Sequence, residues 1–184
     1  RHIFSSFGSG TLQDVPTYWT RFCPINPISL VNEYKVLRKL GITPKIFIDP
    51  LSPITTPYDV FANKENNKMI HDGTCAIGIG TTIQRQEDMY KLHWMDIFNE
   101  TILMAKIQNI KKYYTPIYYN FNLERRDIDL NEFFEALSTI KNENIRMENL
   151  TIPGHLIFEG SQGILLDQDF GFFPNVTRSN TTVK

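Results

Sequence analysis

The chain has 184 residues, of which 41% are hydrophobic and 21% charged, and its formal net charge is −1. This length is enough to bury one sizeable core, so we expect a single domain over residues 1–184. The near-neutral charge argues against a nucleic-acid-binding protein, and no apolar run approaches the ~20 residues of a membrane span. Residues 1–7 lack the pattern of a secretory signal. Cys23 and Cys75 are too few for a disulfide framework, so we expect reduced, mostly buried thiols in a cytoplasmic protein.

The first part of the chain predicts a helix followed by a strand. Asn26-Pro27 is typical of a helix start, apolar residues recur behind it at helical spacing, and Gly41 closes the pattern, which predicts a helix over 27–40. The run 44–50 is rich in β-forming residues and bounded by prolines, which predicts a strand. A helix followed by a strand favours an α/β fold with a mostly parallel sheet and flanking helices.

Further elements follow in chain order. Pro57 opens a short helical pattern over 57–66, and a glycine- and threonine-rich loop is expected over 71–82. Apolar periodicity predicts a helix over 99–114. Another helix is expected from Asp129, with this carboxylate as its cap and Glu132 completing a capping box. Residues 155–160 read as a buried strand that runs into a glycine turn.

Two segments combine flexible backbone with polar side chains. Residues 78–82 carry two glycines and the hydroxyls of Thr81 and Thr82, which suits a phosphate, although they lack both the P-loop ending and the third glycine of a dinucleotide fingerprint. In the run 158–163, two glycines allow a ligand to approach the backbone, and the amide of Gln162 suits a nucleobase edge or a phosphate. A plain tight turn is the alternative for the second segment.

The carboxyl-terminal region holds a pair of acidic residues and a run of hydroxyls. Asp167 and Asp169 are two positions apart, so they would orient a base, bind a cation or, most commonly, cap backbone amides. Residues 174–182 place Ser/Thr hydroxyls beside Arg178, in the manner of a phosphate site or an ordinary polar loop. The four histidines lack metal-ligand spacing and no nucleophile elbow exists, so no metal ligand and no catalytic residue is assigned.

Residues 158–182 closely resemble the signature FEGAQGxLLDxDxGTYPxVTSSNTT of the adenylosuccinate synthetase family, with fixed spacing throughout. Weaker similarities occur upstream in the family's order. They are His2 with residues 9–11 (LHLxPSGI), 26–33 (DPxxLxxE), 79–82 (IGTTGRGIG) and 95–99 (VGDLF).

This resemblance implies a P-loop-NTPase-like ligase core that joins aspartate to IMP, with GTP and Mg²⁺, in a homodimer with shared sites. By matched position, Thr81 or Thr82 would contact the nucleotide phosphate. Gln162 would contact the IMP phosphate or the activated base, and Thr177 would be a second phosphate contact. Gly163 and Asp169 match positions near the nucleotide pocket.

The 184 residues also depart from the family pattern. The GDEGKGK loop, the GHN/GHT segment and the family's C-terminal half are absent, so we expect the central portion of such a ligase, inactive by itself and with most GTP and Mg²⁺ ligands elsewhere. After Thr82 the sequence diverges from the family pattern, so the family's intersubunit arginine cannot be assigned, and Arg85 is no more than a candidate for it. Arg178 replaces a serine and is a further candidate phosphate contact. A catalytically inactive nucleotide-binding paralogue and a relative that uses another purine nucleotide are the alternatives.

Overall fold

The computed structural model describes residues 2–70, 75–120, 128–143, 154–160, 162–177 and 181, with backbone alone at 69–70 and 117–120. The chain divides into two compact units, Arg1–Leu150 and Thr151–Lys184. The single domain expected over 1–184 stays a prediction.

The first unit opens with a β–α–β arrangement. Strand β1 (Thr17–Trp19) pairs in parallel with β2 (Ile46–Ile48), in the register Thr17 to Ile46. Helix α1 (Pro27–Lys39) connects them, which is the connection that a parallel pair requires. Its cap is the one that the sequence predicts, because the Asn26 Oδ1 accepts hydrogen bonds from the backbone N–H groups of Ile28 and Ser29. The α/β class, this helix and the strand within 44–50 are confirmed.

Helices α2 (Pro57–Ile70) and α3 (Ile79–Glu87) differ from the sequence prediction. Helix α2 is longer than 57–66 because no glycine or proline interrupts it after its first residue. The loop over 71–82 is wrong from residue 79 onward, where the chain is already helical; residues 71–74 lie outside the described residues. The glycine at position 78 marks the start of a helix rather than the middle of a loop.

Helix α4 (Glu100–Asn120) follows a 3₁₀ turn at Trp94–Phe98 and extends beyond the predicted 99–114. Helix α5 (Asn131–Asn142) begins later than predicted. The Asp129 Oδ1 accepts a hydrogen bond from the Asn131 N–H at 2.8 Å, but Leu130 occupies the cap position and has no side-chain acceptor. The predicted capping box with Glu132 is therefore wrong.

The hydrophobic core of the first unit lies between these helices and the strands. Helix α1 packs on α5, and α2 packs on α3 and α4. The largest fully buried apolar side chains are those of Trp94, Phe133, Ile25, Leu30, Leu37, Ile48, Ile54, Leu92, Ile97 and Ile110. Both cysteines are exposed free thiols, so their predicted burial is wrong; Cys23 lies in a turn after β1. No helix among the described residues is both long and apolar enough to cross a membrane.

The second unit contains a 3₁₀ turn at Ile164–Leu166. The buried strand predicted over 155–160 is wrong, since these residues form no strand and the side chains of Ile157 and Phe158 are 89% and 74% exposed. A strand needs a neighbour for its backbone N–H and C=O groups, and none of the described residues pairs with this segment.

Candidate nucleotide site

The start of α3 is built around Gly78. Its φ of +90° lies in the left-handed region, and a Cβ at this position would lie 3.0 Å from both the Thr55 Cγ2 and the Val60 backbone nitrogen. The Gly78 N–H donates to the Asn63 Oδ1 at 3.0 Å, and its carbonyl accepts the first hydrogen bond of α3 from Thr82 at 2.9 Å. Only glycine satisfies both the backbone angle and the available space.

The backbone amides of Ile79, Gly80 and Thr81 come before that first hydrogen bond. Such amides have no partner within the helix and carry its positive partial charge. A Cβ added at Gly80 would meet no atom within 4 Å and the Ile79 side chain is exposed, so this side of the turn faces solvent. A phosphate-sized anion suits such a position.

The two threonines of the turn differ in accessibility. The Thr81 side chain is half-buried, with its Oγ1 2.8 Å from the Asp59 carbonyl oxygen and 3.0 Å from the Gly78 carbonyl oxygen. The Thr82 side chain is fully buried, and its Oγ1 lies 2.7 Å from the Gly78 carbonyl oxygen. Of the two side chains, that of Thr81 is the more exposed.

Arg85 lies in the interior and not at the open turn. Its side chain is fully buried, and its Nε donates to the Asp59 Oδ1 at 2.8 Å. The two terminal nitrogens donate to the carbonyl oxygens of Tyr90 at 2.5 Å and Ile54 at 2.8 Å. In this arrangement the guanidinium fastens α3 to α2 and to the chain that precedes α2.

Tyr114 of α4 completes this buried group. Its hydroxyl donates to the Asp59 Oδ1 at 2.7 Å. Burial, with the neighbouring Asp59 carboxylate, raises the pKa of Tyr114 far above its ordinary value, so the hydroxyl keeps its proton. We call Asp59, Arg85 and Tyr114 the Asp59 network.

In the second unit Asp167 organises the loop that follows Gly163. Its buried carboxylate accepts hydrogen bonds from the backbone N–H groups of Asp169 at 2.9 Å, Phe170 at 3.2 Å and Thr181 at 2.5 Å. Desolvation raises the pKa of Asp167, but these backbone donors outweigh it and hold the pKa below the ordinary value. Of the three roles considered from sequence, capping of backbone amides is the one that the structure contains.

The remaining candidates of this unit border the same loop. Gln162 and Gly163 are exposed, and a Cβ at Gly163 would meet no atom within 4 Å. The half-buried Thr177 donates its N–H to the Leu166 carbonyl oxygen at 2.7 Å. Asp169 is exposed, and Arg178 lies outside the described residues. Ligand contacts of these residues stay predictions.

Comparison with known proteins identifies the family. The family model described as adenylosuccinate synthetase matches residues 1–184. The chain belongs to the adenylosuccinate synthetase family. It is 33% identical over 177 residues to the adenylosuccinate synthetase of Wigglesworthia glossinidia brevipalpis, covering 86% of this chain and 40% of that protein. It is 29% identical over 194 residues to that of Borrelia duttonii, covering 100% of this chain and 45% of that protein.

The fold agrees with a solved structure of this family. The fully ligated adenylosuccinate synthetase from Plasmodium falciparum aligns with a TM-score of 0.54 and 16% identity, over 96% of this chain and 54% of that one. At this identity the likeness concerns the fold. The chain spans about two fifths of the length of the curated adenylosuccinate synthetases described above.

Sequence reasoning missed three residues that shape these loops. Asp59 carries a detectable signal, because Thr56-x-x-Asp59 has the spacing of a capping box, and the Thr56 N–H donates to the Asp59 Oδ2 at 2.7 Å. For Tyr114 the sequence indicates only a place on the apolar face of a helix. At Gly171 a Cβ would lie 2.5 Å from the Asp167 carbonyl oxygen, and no local pattern indicates this crowding.

The described residues do not provide the magnesium site that an adenylosuccinate synthetase implies. Among them, no group of three or more His, Cys, Asp or Glu side chains could hold a metal ion. The buried carboxylates of Asp59 and Asp167 already accept hydrogen bonds from an arginine and from backbone amides, respectively. We therefore place no magnesium ligand in the described part of the chain.

Proposed function

We propose that this chain carries the IMP-binding part of a purine-nucleotide ligase of adenylosuccinate synthetase type, which joins aspartate to IMP with hydrolysis of GTP. The observation that supports it is the family match over residues 1–184. The open first turn of α3, at a segment that resembles the family's IGTT motif, agrees with it. We also propose a cytoplasmic homodimer, as in the family resemblance.

The first turn of α3 binds the IMP phosphate in this proposal. The amides of Ile79, Gly80 and Thr81 donate to its oxygens, and the Thr81 hydroxyl holds the turn by donating to the Asp59 carbonyl oxygen. Thr82 supports the turn from inside through its bond to Gly78. Arg85 acts in the same way, as a supporting residue and not as a ligand.

The loop of the second unit carries its own candidate nucleotide contacts, considered by themselves. Gln162 offers one amide that both donates and accepts, Gly163 leaves room for a close approach, and Thr177 adds a hydroxyl. By matched position, Asp169 and Arg178 are further candidate nucleotide contacts.

The chemical role of these groups is to hold the nucleotide in one place. In the family reaction GTP phosphorylates the base oxygen, and aspartate then displaces that phosphate. A phosphate group fixed by several donors orients the base for both steps, and orientation supplies a large part of the rate in such reactions. GTP and Mg²⁺ contacts are assigned to other parts of the enzyme, so the chain alone completes no turnover.

Affinity for IMP tests the phosphate site. By calorimetry, the 184-residue chain should bind IMP at least about tenfold more tightly than inosine, which lacks the phosphate. Thr81→Val keeps the shape of the side chain but removes the hydroxyl that bonds the Asp59 carbonyl and so holds the turn, and it should weaken IMP binding about fivefold, the effect of one hydrogen bond.

Thr81→Ser is the matched control, because it keeps the hydroxyl and should retain most of the IMP affinity. Inosine binding should be the same in all three proteins. Equal affinities of the unsubstituted chain for IMP and inosine would contradict the phosphate site.

A further inference from the structure

The Asp59 network joins three helices behind the open turn. Asp59 lies in the first turn of α2, Arg85 in α3 and Tyr114 in α4, with exposed fractions of 0%, 0% and 2%. Apart from the candidate intersubunit role of Arg85 and the helix cap formed by Thr56 and Asp59, neither the family match nor any motif in the sequence assigns a role to this group.

Five hydrogen bonds saturate the Asp59 carboxylate. Its Oδ1 accepts from the Arg85 Nε at 2.8 Å and from the Tyr114 hydroxyl at 2.7 Å. Its Oδ2 accepts from the N–H and hydroxyl of Thr56, each at 2.7 Å, and from the Arg85 Nη2 at 3.1 Å. A buried carboxylate with this many donors from different elements has one favourable arrangement.

Two residues of the network, Asp59 and Tyr114, contact Thr81 directly. The Thr81 hydroxyl donates to the backbone carbonyl of Asp59 at 2.8 Å. The Tyr114 hydroxyl lies 3.3 Å from the carbonyl oxygen of Thr81, in addition to its shorter bond to the Asp59 carboxylate. The first turn of α3 is thereby tied to both α2 and α4.

Stability alone does not account for a buried ion pair at this position. Desolvation of both charges offsets much of their attraction, and well-packed apolar residues of similar volume often give equal or greater stability. Directional bonds from three helices instead fix the position and axis of α3. The amides of Ile79, Gly80 and Thr81 converge on one anion only while that axis is fixed.

We infer that Asp59, Arg85 and Tyr114 are positioning residues that hold the first turn of α3 in its phosphate-binding geometry. This inference rests on the proposed function, in which that turn binds the IMP phosphate. None of the three side chains touches the nucleotide: Asp59 and Tyr114 contact Thr81, and Arg85 holds Asp59 in place.

The test compares two neighbouring tyrosines of α4. Tyr114→Phe removes the hydroxyl that bonds Asp59, whereas Tyr113→Phe removes one that bonds the exposed side chain of Asp88 at 2.6 Å. Calorimetry of the 184-residue chain with IMP and with inosine gives, for each protein, the ratio of the affinity for IMP to the affinity for inosine. We expect Tyr114→Phe to lower this ratio about tenfold and Tyr113→Phe to change it less than twofold.

This ratio separates positioning from general destabilisation, because loss of folded protein lowers the apparent affinities for IMP and for inosine by the same factor. Arg85→Lys is the second variant: it keeps the charge but loses the forked contacts to Ile54 and Tyr90, and it should lower the ratio as well. Ratios like that of the unsubstituted chain in Tyr114→Phe and Arg85→Lys would overturn the inference while the phosphate site stands. If the unsubstituted chain fails to distinguish IMP from inosine, the proposed function fails, and the inference with it.

Discussion

The carboxylate of Asp167 illustrates how one side chain sets the pH range of a loop. Backbone donors hold its pKa below the ordinary 3.8, so its deprotonated form is favoured in the folded loop. The stabilisation is complete above the pKa of the unfolded chain and is lost as the pH falls through the lower pKa of the folded protein. We expect the loop to keep its structure at pH 5 and to lose these bonds only when the pH falls below 3.8, the ordinary pKa of the carboxyl.

Amide proton shifts of Asp169, Phe170 and Thr181, followed by nuclear magnetic resonance, provide the measurement. All three should titrate together, with a midpoint below 3.8. Asp167→Asn should abolish this common titration, whereas Asp169→Asn should leave it in place, since the Asp169 side chain is exposed. A common midpoint above 3.8 would show that desolvation outweighs the backbone donors.

At the scale of elements, the start of α3 depends on a single glycine. Gly78→Ala imposes an unfavourable φ and brings a Cβ against Thr55 and Val60, so it should lower the free energy of unfolding by about 2–4 kcal/mol. Gly41→Ala is the matched control, because Gly41 has a φ of +80° but no atom within 4 Å of the added Cβ. Gly41→Ala should lower the free energy of unfolding, measured with urea, by only about 1 kcal/mol. Equal losses of unfolding free energy in Gly78→Ala and Gly41→Ala would refute the claim that the Cβ at position 78 clashes with its neighbours.

Elements whose causes are local were predictable from the sequence. Asn26 and Pro27 set the start of α1 through contacts within a few residues, and the structure contains that start. The strand predicted over 155–160 is wrong because a strand depends on a distant partner for its backbone, and the local sequence does not show whether that partner is present. Local reading also failed for residues 79–82, where glycine content indicated a loop although the hydrogen bonds of α3 already form.

In the candidate site too, features that depend on neighbouring residues were predictable and features that depend on distant residues were not. The residues of the open turn are adjacent in sequence, so their composition indicated a phosphate site. Asp59 is 26 residues from Arg85 and 55 from Tyr114, and no sequence pattern relates side chains at such separations. The supporting part of the site is visible only once the helices are packed.

At the scale of the whole chain, buried apolar side chains are unevenly distributed between the two units. The described core residues lie between Phe7 and Ile140, within the first unit. In the second unit the phenyl rings of Phe158, Phe172 and Phe173 are 74%, 73% and 89% exposed. Exposed apolar groups in such number are unusual for a monomeric protein surface, and they bind apolar dyes and other apolar surfaces.

We therefore expect the 184-residue chain to enhance the fluorescence of the dye ANS without denaturant. Replacement of Phe158, Phe172 and Phe173 together by Ser should remove most of this fluorescence, because the dye loses its apolar contact surface. The free energy of unfolding of the first unit should stay within about 0.5 kcal/mol, since none of the three belongs to its core. Phe22→Ser is the control: this ring is 84% exposed but lies in the first unit, and its loss should leave the fluorescence nearly unchanged. Fluorescence that survives the triple substitution would place the dye-binding surface elsewhere in the chain.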